Sequence, residues 1–412
     1  MTEVTIEAIA AGGDGVGRLP DGMTVFVPRT APGDRADVEI TERRRRWARG
    51  RLTRLVAPGP ARTDPPCPHY TADECGGCQL QHLSLEGQEA AKRRIVGDAL
   101  RRIGRRDVED PAIVAAPQPL RYRAKVTLAI GSDGRIGFHP VGRPQGVFAL
   151  DDCRIARPAL MRRWSALRAC AELLPVAATH IVLREDRHGD VHVIVRGGDA
   201  PWNPEPLHVR LADPRLSLWW EPRGGAARVV AGPRTGFPAL AFAQVNPDLA
   251  DRLRGDAVTA LGDVSGKVVW DLYGGVGDAA RMLAATGAHV VSVEADRSAV
   301  EWASGQGRLA GAPPKSPTYL HGRVEEVLHR LPAPGAVLLN PPRVGLAVRV
   351  AEALEQWAQS DGVRRVAYVS CDPATLARDL NRMPSLDLTS LRAYDLFPQT
   401  SHVETLAVLE TT

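Results

Sequence analysis

The feature that most constrains the fold is a regular alternation of apolar strands and helices in the second half of the chain. From about residue 234 the strand-like runs read, in order, KVVWDL, HVVSVEA, TYL, AVLLN, RVAYVSC, LRAYDLFP and ETLAVLE, mostly with helix-length segments between them. Strands that alternate with helices of this length predict a mostly parallel, doubly wound sheet of the α/β class. Open sheets of this kind bind ligands outside the carboxyl ends of their strands. The residues that follow each strand are therefore the first place to look for a site.

The first half of the chain has two other patterns, and a length of 412 residues suggests two or three domains. Residues 1–58 alternate apolar and polar positions between glycine- and proline-containing turns, which predicts a small antiparallel barrel. The proline-rich linker PGPARTDPPCP follows. Residues 59–230 mix a cysteine-rich loop, a basic helix near residues 86–105 and several strand-like runs, which predicts an α+β domain. The doubly wound domain would then occupy residues 231–412.

Composition restricts the partners. The chain is 44% hydrophobic and 24% charged, and it has no apolar run near the roughly 18 residues that a membrane span needs. The N-terminus lacks the basic and apolar segments of a secretory signal. We therefore expect a cytoplasmic protein with no membrane partner, acting as a monomer. Two arginine-rich blocks, ERRRRWARGRLTRL and AKRRIVGDALRRIGRR, suit a polyanion, although a solvated helix or strand face fits them equally well.

A glycine-rich turn is the first sign of a ligand. The run KVVWDLYGGVGDAA places Gly274, Gly275 and Gly277 between a strand and a helix, where the backbone can approach a ligand closely. The next strand ends about 20 residues later in Glu294, whose carboxylate can accept hydrogen bonds from both ribose hydroxyls. Together these residues predict a nucleoside-type ligand, and they leave a nicotinamide cofactor open.

Two later strands bring polar residues to the same edge. AVLLN ends in Asn340, which two prolines follow, and this predicts a rigid polar lip beside the cofactor crevice. RVAYVSCDP brings Cys371 to the edge, just before a proline that begins a helix. The positive end of that helix is expected to lower the pKa of the thiol. A lone cysteine is more often a buried structural residue, but its position beside NPPR favours a reactive one.

His402 and Glu404, near the C-terminus, share one face of the stretch that enters the last strand. A solvated charged pair is the simpler interpretation. A thiol and a carboxylate at one crevice instead suit methylation of uracil, because C5 becomes nucleophilic only after a nucleophile adds to C6. Cys371 can supply that addition, and Glu404 can then remove the C5 proton. The target base must be unstacked to reach such a site.

In this combination the motifs resemble the RNA (uracil-5-)-methyltransferase family over essentially the whole chain. FAQVN, DLYGGVG, VEAD, NPPRVG, YVSCDP and DLFPQTSHVE occur in the family's order. The resemblance implies a class I, Rossmann-like, S-adenosylmethionine-dependent methyltransferase domain, with Cys371 as the nucleophile and Glu404 as the proton acceptor. It also implies that Phe242 lies near the target base. Contacts with S-adenosylmethionine would come from Gln244, Tyr273, Gly275, Gly277, Glu294 and Asn340.

The first two predicted domains also have counterparts in this family. The barrel, with GGDGVGR and FVPRTAPGD, resembles the OB-like TRAM domain and would hold RNA phosphates with its arginine-rich strand. Three cysteines within residues 67–78, without a secretory signal, favour a metal or cluster over disulfides. Four cysteines resemble the ligands of the family's 4Fe-4S cluster, although four thiolates also suit zinc. They are Cys67, Cys75, Cys78 and Cys153. Cys170 is left over and is predicted to lie in a core.

The sequence departs from the family pattern in three places. The family usually has aspartate where Asn340 stands, and Asn-Pro-Pro also occurs in enzymes that methylate exocyclic amines of bases. Those enzymes usually have an aromatic residue next, where this chain has Arg343. Gly274 replaces a common cysteine, a change that we expect to matter little. Seven residues, rather than the more usual five, separate Cys67 from Cys75.

The resulting prediction is an enzyme that methylates C5 of a uridine in RNA through a covalent adduct with Cys371. Large-subunit (23S) ribosomal RNA is the favoured substrate, because a TRAM domain with four cluster-type cysteines resembles the members that act on it. A uridine in the tRNA T loop is an alternative substrate. The alternative functions are a base N-methyltransferase, which would need neither Cys371 nor Glu404, and a non-catalytic RNA-binding protein.

Overall fold

The protein is represented by a computed structural model that describes residues 1–199, 201–306, 316–360 and 364–411. The described chain contains a closed five-stranded barrel, a seven-stranded sheet and an eight-stranded sheet. No helix in these ranges is both long enough and apolar enough to cross a membrane.

The barrel forms the N-terminal part of the chain, as predicted. Alternate side chains on its strands point inward and form a core of their own, which includes Val4, Ile6 and Val25. Closure leaves the barrel without a free strand edge. Its strands, in the closed order β1-β2-β3-β5-β4, are β1 (Thr2–Ile9), β2 (Gly15–Arg18), β3 (Thr24–Val27), β4 (Arg35–Arg43) and β5 (Trp47–Ala57).

The middle of the chain folds into a mixed sheet with helices, as the α+β prediction requires. Its elements are α1 (Pro68–Ala72), α2 (Leu85–Arg102), β6 (Ala112–Val114), β7 (Lys125–Ile130), β8 (Ile136–Phe138), β9 (Phe148–Ala149), α3 (Pro158–Arg168), β10 (Ala178–Glu185), β11 (Val191–Gly197), α4 (Glu205–Leu211), β12 (Leu216–Glu221) and β13 (Arg228–Ala231), with a 3-10 turn at Ala171–Leu173. The seven-stranded sheet has the order β13-β12-β11-β10-β7-β8-β9. Cys170 lies in its core, where we expected a structural cysteine.

The C-terminal part is the predicted doubly wound sheet. Its elements are α5 (Pro247–Ala260), β14 (Val268–Leu272), α6 (Asp278–Ala285), β15 (His289–Glu294), α7 (Arg297–Gln306), β16 (Thr318–His321), α8 (Val324–Val327), β17 (Ala336–Leu339), α9 (Val348–Gln359), β18 (Arg365–Ser370), α10 (Pro373–Leu380), β19 (Leu386–Tyr394) and β20 (Glu404–Thr411), with a 3-10 turn at Leu328–Arg330. The five strands β16-β15-β14-β17-β18 run parallel, and β20 then pairs antiparallel with β18. Apolar clusters cover both faces of this sheet.

Strand β6 links the middle of the chain to this sheet. It pairs in parallel with β19, so that a segment we assigned to the central domain supplies an edge strand of the C-terminal sheet. Helix α2 packs against α10 of the same sheet. The chain between the barrel and the seven-stranded sheet therefore supports the C-terminal sheet at its β19 edge.

Candidate active site

The residues predicted to form the site follow strands that are neighbours in the sheet. Tyr273 follows β14, Glu294 ends β15, Asn340 follows β17 and Cys371 follows β18. Because these four strands are parallel, their carboxyl ends meet at one edge. The antiparallel strand β20 begins at this same edge with Glu404.

Cys371 and Glu404 lie one position beyond the last rung of the β18–β20 pair. The antiparallel register pairs Ser370 with Thr405. Cys371 directly follows Ser370, and Glu404 directly precedes Thr405 on the opposite strand. The carboxylate of Glu404 is close enough to raise the pKa of the Cys371 thiol. Two residues that are 33 positions apart in sequence thus become direct neighbours.

The expectation that a helix end would lower the pKa of Cys371 is wrong. Helix α10 does begin beside it: Pro373 is its first residue, and the side chain of Asp372 accepts a hydrogen bond from the Thr375 N–H at 2.8 Å. Burial, the largest cause, and the Glu404 carboxylate nevertheless raise the pKa of the thiol to about 11, against the opposing effect of the Arg343 guanidinium. In the protein alone, Cys371 is therefore a protonated thiol near neutral pH.

Glu404 is a buried carboxylate, and one of its two oxygens accepts no hydrogen bond from the described residues. Its side chain is only 1% exposed. The Gln244 amide donates a hydrogen bond to Oε1 at 3.2 Å, whereas Oε2 is buried and has no hydrogen-bond partner among the described residues. Burial raises the pKa of Glu404 to about 7, and Gln244 and Arg343 oppose that shift. A solvated charged pair, our simpler interpretation of His402 and Glu404, does not describe this residue.

His402 and Arg343 lie beside the pair. The Arg343 guanidinium is 3.5 Å from Nε2 of His402. Burial, the largest cause, and the nearby Arg343 charge together lower the pKa of His402 to about 4, so the imidazole is neutral. Arg343 lowers the pKa of Cys371 and of Glu404 as well. One exposed arginine therefore faces all three side chains, a role that the sequence did not assign to it.

The glycine turn and Glu294 form the other half of the crevice. Oε2 of Glu294 accepts the Gly275 N–H at 2.9 Å, and Oε1 accepts the Asp296 N–H at 2.8 Å. Each oxygen keeps a second lone pair for a ribose hydroxyl. Gly275 has φ of +55° with open space beside its Cα, and Tyr273 has φ of +64°. A turn without a side chain next to a positioned carboxylate fits the nucleoside part of a cofactor.

Gly274 is more constrained than we expected. A Cβ atom there would lie 2.1 Å from Oγ of Ser292 and 2.5 Å from Oδ2 of Asp271, so a side chain requires both to move. The Ser292 hydroxyl donates to Asp271 at 2.9 Å. Burial raises the pKa of Asp271 to about 6. Asp271 is the one polar residue in the apolar strand VVWDL, and this pattern could have indicated a buried carboxylate. Its side chain lies next to the glycine turn.

Phe242 and Gln244 belong to a loop that a buried arginine fixes. The Arg184 guanidinium, from β10, donates to the carbonyls of Ala239 at 2.7 Å and Ala241 at 2.6 Å. The loop then carries Phe242, which is 66% exposed, and Gln244, which reaches Glu404. The sequence offered no signal for the role of Arg184.

The four cysteines predicted to be metal ligands lie in two adjoining apolar clusters and form a second candidate site. Cys67 and Cys78 share an apolar cluster with Cys153, which also packs against the neighbouring cluster that contains Cys75. Burial, the largest cause, and the surrounding thiols together raise the pKa of Cys75 to about 11 and that of Cys78 to about 12. We define these four residues as the cysteine centre. As placed in the described chain, no group of three or more histidine, cysteine, aspartate or glutamate side chains could hold a metal ion.

The arginine-rich strands of the barrel are largely neutralised by their own acidic neighbours. The ion pairs are Arg35–Glu3, Arg43–Asp21, Arg44–Glu42, Arg49–Asp14, Arg51–Glu39 and Arg54–Asp37. Arg45 and Arg46, at the exposed turn between β4 and β5, form no ion pair with any described residue. Within β4, β5 and the turn that connects them, arginines without an ion pair are therefore found only at this turn of the described chain.

Comparison with known proteins identifies the family. Residues 2–53 match the TRAM domain, and residues 323–412 match the family described as tRNA (Uracil-5-)-methyltransferase. The 23S rRNA (uracil(1939)-C(5))-methyltransferase RlmD of Halomonas elongata is 33% identical over an alignment that covers 99% of this chain and 89% of that protein. The RlmD of Chromohalobacter salexigens is also 33% identical, over 98% of this chain and 88% of its own length. The chain belongs to the RNA (uracil-5-)-methyltransferase family.

A solved structure agrees with that assignment over the whole molecule. The tRNA (uracil-54, C5)-methyltransferase of Pyrococcus abyssi, in complex with S-adenosyl-L-homocysteine, superposes with a TM-score of 0.76 and 25% identity over 99% of both chains. The resemblance inferred from the motifs, the class I methyltransferase fold and the N-terminal TRAM barrel are confirmed. This member of the RNA (uracil-5-)-methyltransferase family is therefore an enzyme.

Proposed function

We propose that the protein methylates C5 of a uridine in 23S ribosomal RNA, with Cys371 as the covalent nucleophile and Glu404 as the base. The observation that carries this proposal is the pair itself. A thiol and a buried carboxylate lie close together just beyond the last rung of the β18–β20 pair, and Oε2 of Glu404 has no hydrogen-bond partner in the described chain. That oxygen is available to accept a proton from a base held beside Cys371.

The first half of the reaction is addition. The Cys371 thiol gives its proton to solvent, and the sulfur then bonds to C6 of the flipped uracil, while the C5–C6 electron pair moves to give an enolate on C4–O4. A thiol pKa of about 11 leaves little thiolate in the protein alone. RNA must therefore help to activate it, by bringing an electrophilic C6 within reach of the sulfur. Arg343, which already lowers the thiol pKa, would stabilise the thiolate.

The second half is methyl transfer and release. S-adenosylmethionine supplies an electrophilic methyl group on a sulfonium sulfur. C5 of the enolate bonds to that methyl carbon, and the electron pair of the broken carbon–sulfur bond stays on sulfur. Oε2 of Glu404 then takes the C5 proton, the C–H electron pair re-forms the C5–C6 double bond, and the C6–S bond breaks to return Cys371 as thiolate. A pKa of about 7 makes Glu404 a stronger base than an ordinary carboxylate and leaves it largely ionised at slightly alkaline pH.

We propose that the methyl donor lies along the crevice between the glycine turn and Asn340. Glu294 would accept the ribose hydroxyls, and the open side of Gly275 would allow close backbone approach. Gln244 would bridge the two halves of the site, since its amide already donates to Glu404. The remaining contacts would come from Tyr273 and Gly277, and Phe242 would face the target base.

We also propose that the cysteine centre holds a 4Fe-4S cluster. Its four thiols form a donor set suited to soft metals. Four thiolates also suit zinc, the alternative that the donor set leaves open. The proposed reaction needs no electron transfer, so the cluster's role would be structural.

RNA would bind with the TRAM barrel and the crevice together. The unpaired Arg45 and Arg46 are the barrel residues best placed to bind phosphates, since their neighbours are already engaged in ion pairs. Two relatives named as 23S rRNA methyltransferases favour ribosomal RNA. The Pyrococcus abyssi neighbour is named as a tRNA (uracil-54, C5)-methyltransferase, so a tRNA T-loop uridine is the second candidate.

The test is trapping with 5-fluorouridine-substituted RNA. Fluorine at C5 blocks the final proton removal, so anaerobically purified enzyme with labelled S-adenosylmethionine should form a labelled adduct that survives a denaturing gel. Unmodified 23S rRNA and tRNA transcripts are tested in parallel, with the site mapped first at the uridine equivalent to that named for RlmD. Methylation of normal RNA by a Cys371→Ala variant, with no adduct from the wild type, would establish a base N-methyltransferase instead.

A further inference from the structure

We propose that Gln88 and Gln399 are positioning residues for Glu404, and that they couple its carboxylate to the cysteine centre. The inference rests on the proposed role of Glu404 as the base. It concerns residues 395–403, which connect β19 to β20 and which we define as the pre-strand loop. The loop is held by residues more than 300 positions away in sequence.

The pre-strand loop has a strained backbone at Gln399. This residue has φ of +71° and is 4% exposed. A left-handed conformation costs roughly 1–2 kcal/mol for a residue other than glycine, so its surroundings must enforce it. The Gln399 carbonyl accepts two backbone N–H groups, from Gln79 at 3.1 Å and from Leu80 at 2.9 Å. Both donors come directly after Cys78.

Gln88 forms hydrogen bonds with the backbone N–H and the side-chain Oε1 of Gln399. It lies on α2 and is 1% exposed. Its Oε1 accepts the Gln399 N–H at 2.8 Å, and its Nε2 donates to Oε1 of Gln399 at 3.1 Å. The same Nε2 donates to the Leu83 carbonyl at 3.0 Å. Every polar group of the Gln399 backbone is thus bonded to the segment that runs from the cysteine centre into α2.

Two further hydrogen bonds join the cysteine centre to the pre-strand loop. Oε1 of Gln79 accepts the Ser401 N–H at 3.4 Å. Tyr122, which packs in the same apolar cluster as Cys78, donates its hydroxyl to the Pro398 carbonyl at 3.0 Å. The loop is therefore held at Pro398, Gln399 and Ser401 by residues that contact or adjoin the centre.

The consequence concerns the proton-transfer step. Glu404 comes five residues after Gln399 and begins β20, whereas Cys371 lies between β18 and α10. A base must approach its proton to about 2.6–3.2 Å, and a displacement of about 1 Å can slow a reaction on the order of 100-fold. Loosening Gln399 should therefore slow removal of the C5 proton while addition and methyl transfer continue. The methylated covalent adduct would then accumulate on normal RNA.

The test compares Gln88→Met with Ser84→Ala. Methionine keeps the shape of Gln88 and removes its hydrogen bonds to Gln399. Ser84 caps the same helix by accepting the Gly87 N–H at 3.1 Å, and its loss costs about 1 kcal/mol without touching the loop. We expect kcat of Gln88→Met to fall by about 10- to 100-fold with KM for both substrates unchanged. Adduct should accumulate on unmodified RNA, and Ser84→Ala should show neither effect.

Two more variants keep the test decisive. Gln88→Glu retains an acceptor for the Gln399 N–H and should recover part of kcat. Gln79 is half-buried, and Gln79→Ala removes the hydrogen bond that its side chain accepts from the Ser401 N–H. This variant tests the connection between the cysteine centre and the pre-strand loop if Gln88→Met fails to fold. Should Glu404→Gln trap adduct while Gln88→Met and Gln79→Ala behave like Ser84→Ala, the positioning role is wrong and the proposed function stands. If Glu404→Gln traps none and Cys371→Ala methylates normally, the proposed function fails and the inference fails with it.

Discussion

The molecule uses cysteine in two places, and the two differ in what surrounds the thiol. Cys371 is alone at a strand end and faces the carboxylate of Glu404, with Arg343 nearby. The thiols of the cysteine centre face one another from two distant segments of chain. Burial raises the pKa at both sites. The surrounding groups, rather than the pKa of the free protein, therefore separate a cysteine that suits covalent chemistry from cysteines that suit a metal.

The largest expected effect comes from removing the isolated thiol. Cys371→Ala should abolish methylation, because no other described thiol lies at the crevice. Cys170→Ala is the matched control, since this cysteine is buried in the core of the seven-stranded sheet. It should keep full activity with a modest loss of stability. Initial rates with labelled S-adenosylmethionine check both, and equal rates for the two variants would remove the distinction between the sites.

A substitution in the cysteine centre should lower stability and leave the covalent chemistry intact, in contrast to Cys371→Ala. Cys78→Ser should lose bound iron and lower the midpoint of thermal unfolding, because a ligand that binds only the folded state stabilises it. It should not prevent 5-fluorouridine adduct formation by the molecules that remain folded. Iron content, thermal unfolding and adduct yield per folded molecule check this. An iron-free variant with unchanged stability would contradict a structural role for the centre.

Glu404 should make the protein less stable above neutral pH. Its pKa is about 7 in the folded state against an ordinary 4.5, so the native state holds a proton that the unfolded state has lost between these values. Stability therefore falls as pH rises through that window. Glu404→Gln should be more stable than the wild type by about 3 kcal/mol at pH 8, and the difference should vanish near pH 4. Denaturant unfolding at both pH values measures it, and a gap that does not depend on pH would refute the raised pKa.

The smallest effect tests what holds Cys371 in place. Asp372→Ala removes the cap of α10, which should cost about 1 kcal/mol of folding stability. Because Cys371 precedes the cap, adduct formation should slow at the same time. Asp372→Asn, which keeps an acceptor for the Thr375 N–H, should restore most of both. Recovery of stability without recovery of adduct rate would show that the negative charge, and not the cap, matters at this edge.

Most of the crevice could be predicted because a parallel sheet brings strand ends to one edge. Asn340, Cys371 and Glu404 were placed correctly by strand periodicity and topology alone. The pKa of Cys371 was mispredicted because the sequence shows a helix start but not the burial that outweighs it. Strand β6 is three residues long, too short for any periodicity to reveal.

The second site shows a different limit. The spacing of Cys67, Cys75 and Cys78 indicated a centre, and only the family resemblance supplied Cys153. No pattern joined Gln88 to Gln399, which lie 311 residues apart and meet only through the fold. The close contacts of Gly274 with Ser292 depend likewise on how two strands pack. Local sequence patterns cannot predict contacts between segments that are far apart in the chain.

The most direct test of the central claim is intact-mass analysis of Glu404→Gln incubated with S-adenosylmethionine and ordinary 23S rRNA. If Cys371 adds to C6 and Glu404 removes the C5 proton, release should slow by about 10²- to 10⁴-fold. The protein should then carry a methylated RNA fragment that digestion locates on the peptide containing Cys371. Normal turnover by this variant, or a methylated product with no protein adduct at any time, would contradict the account.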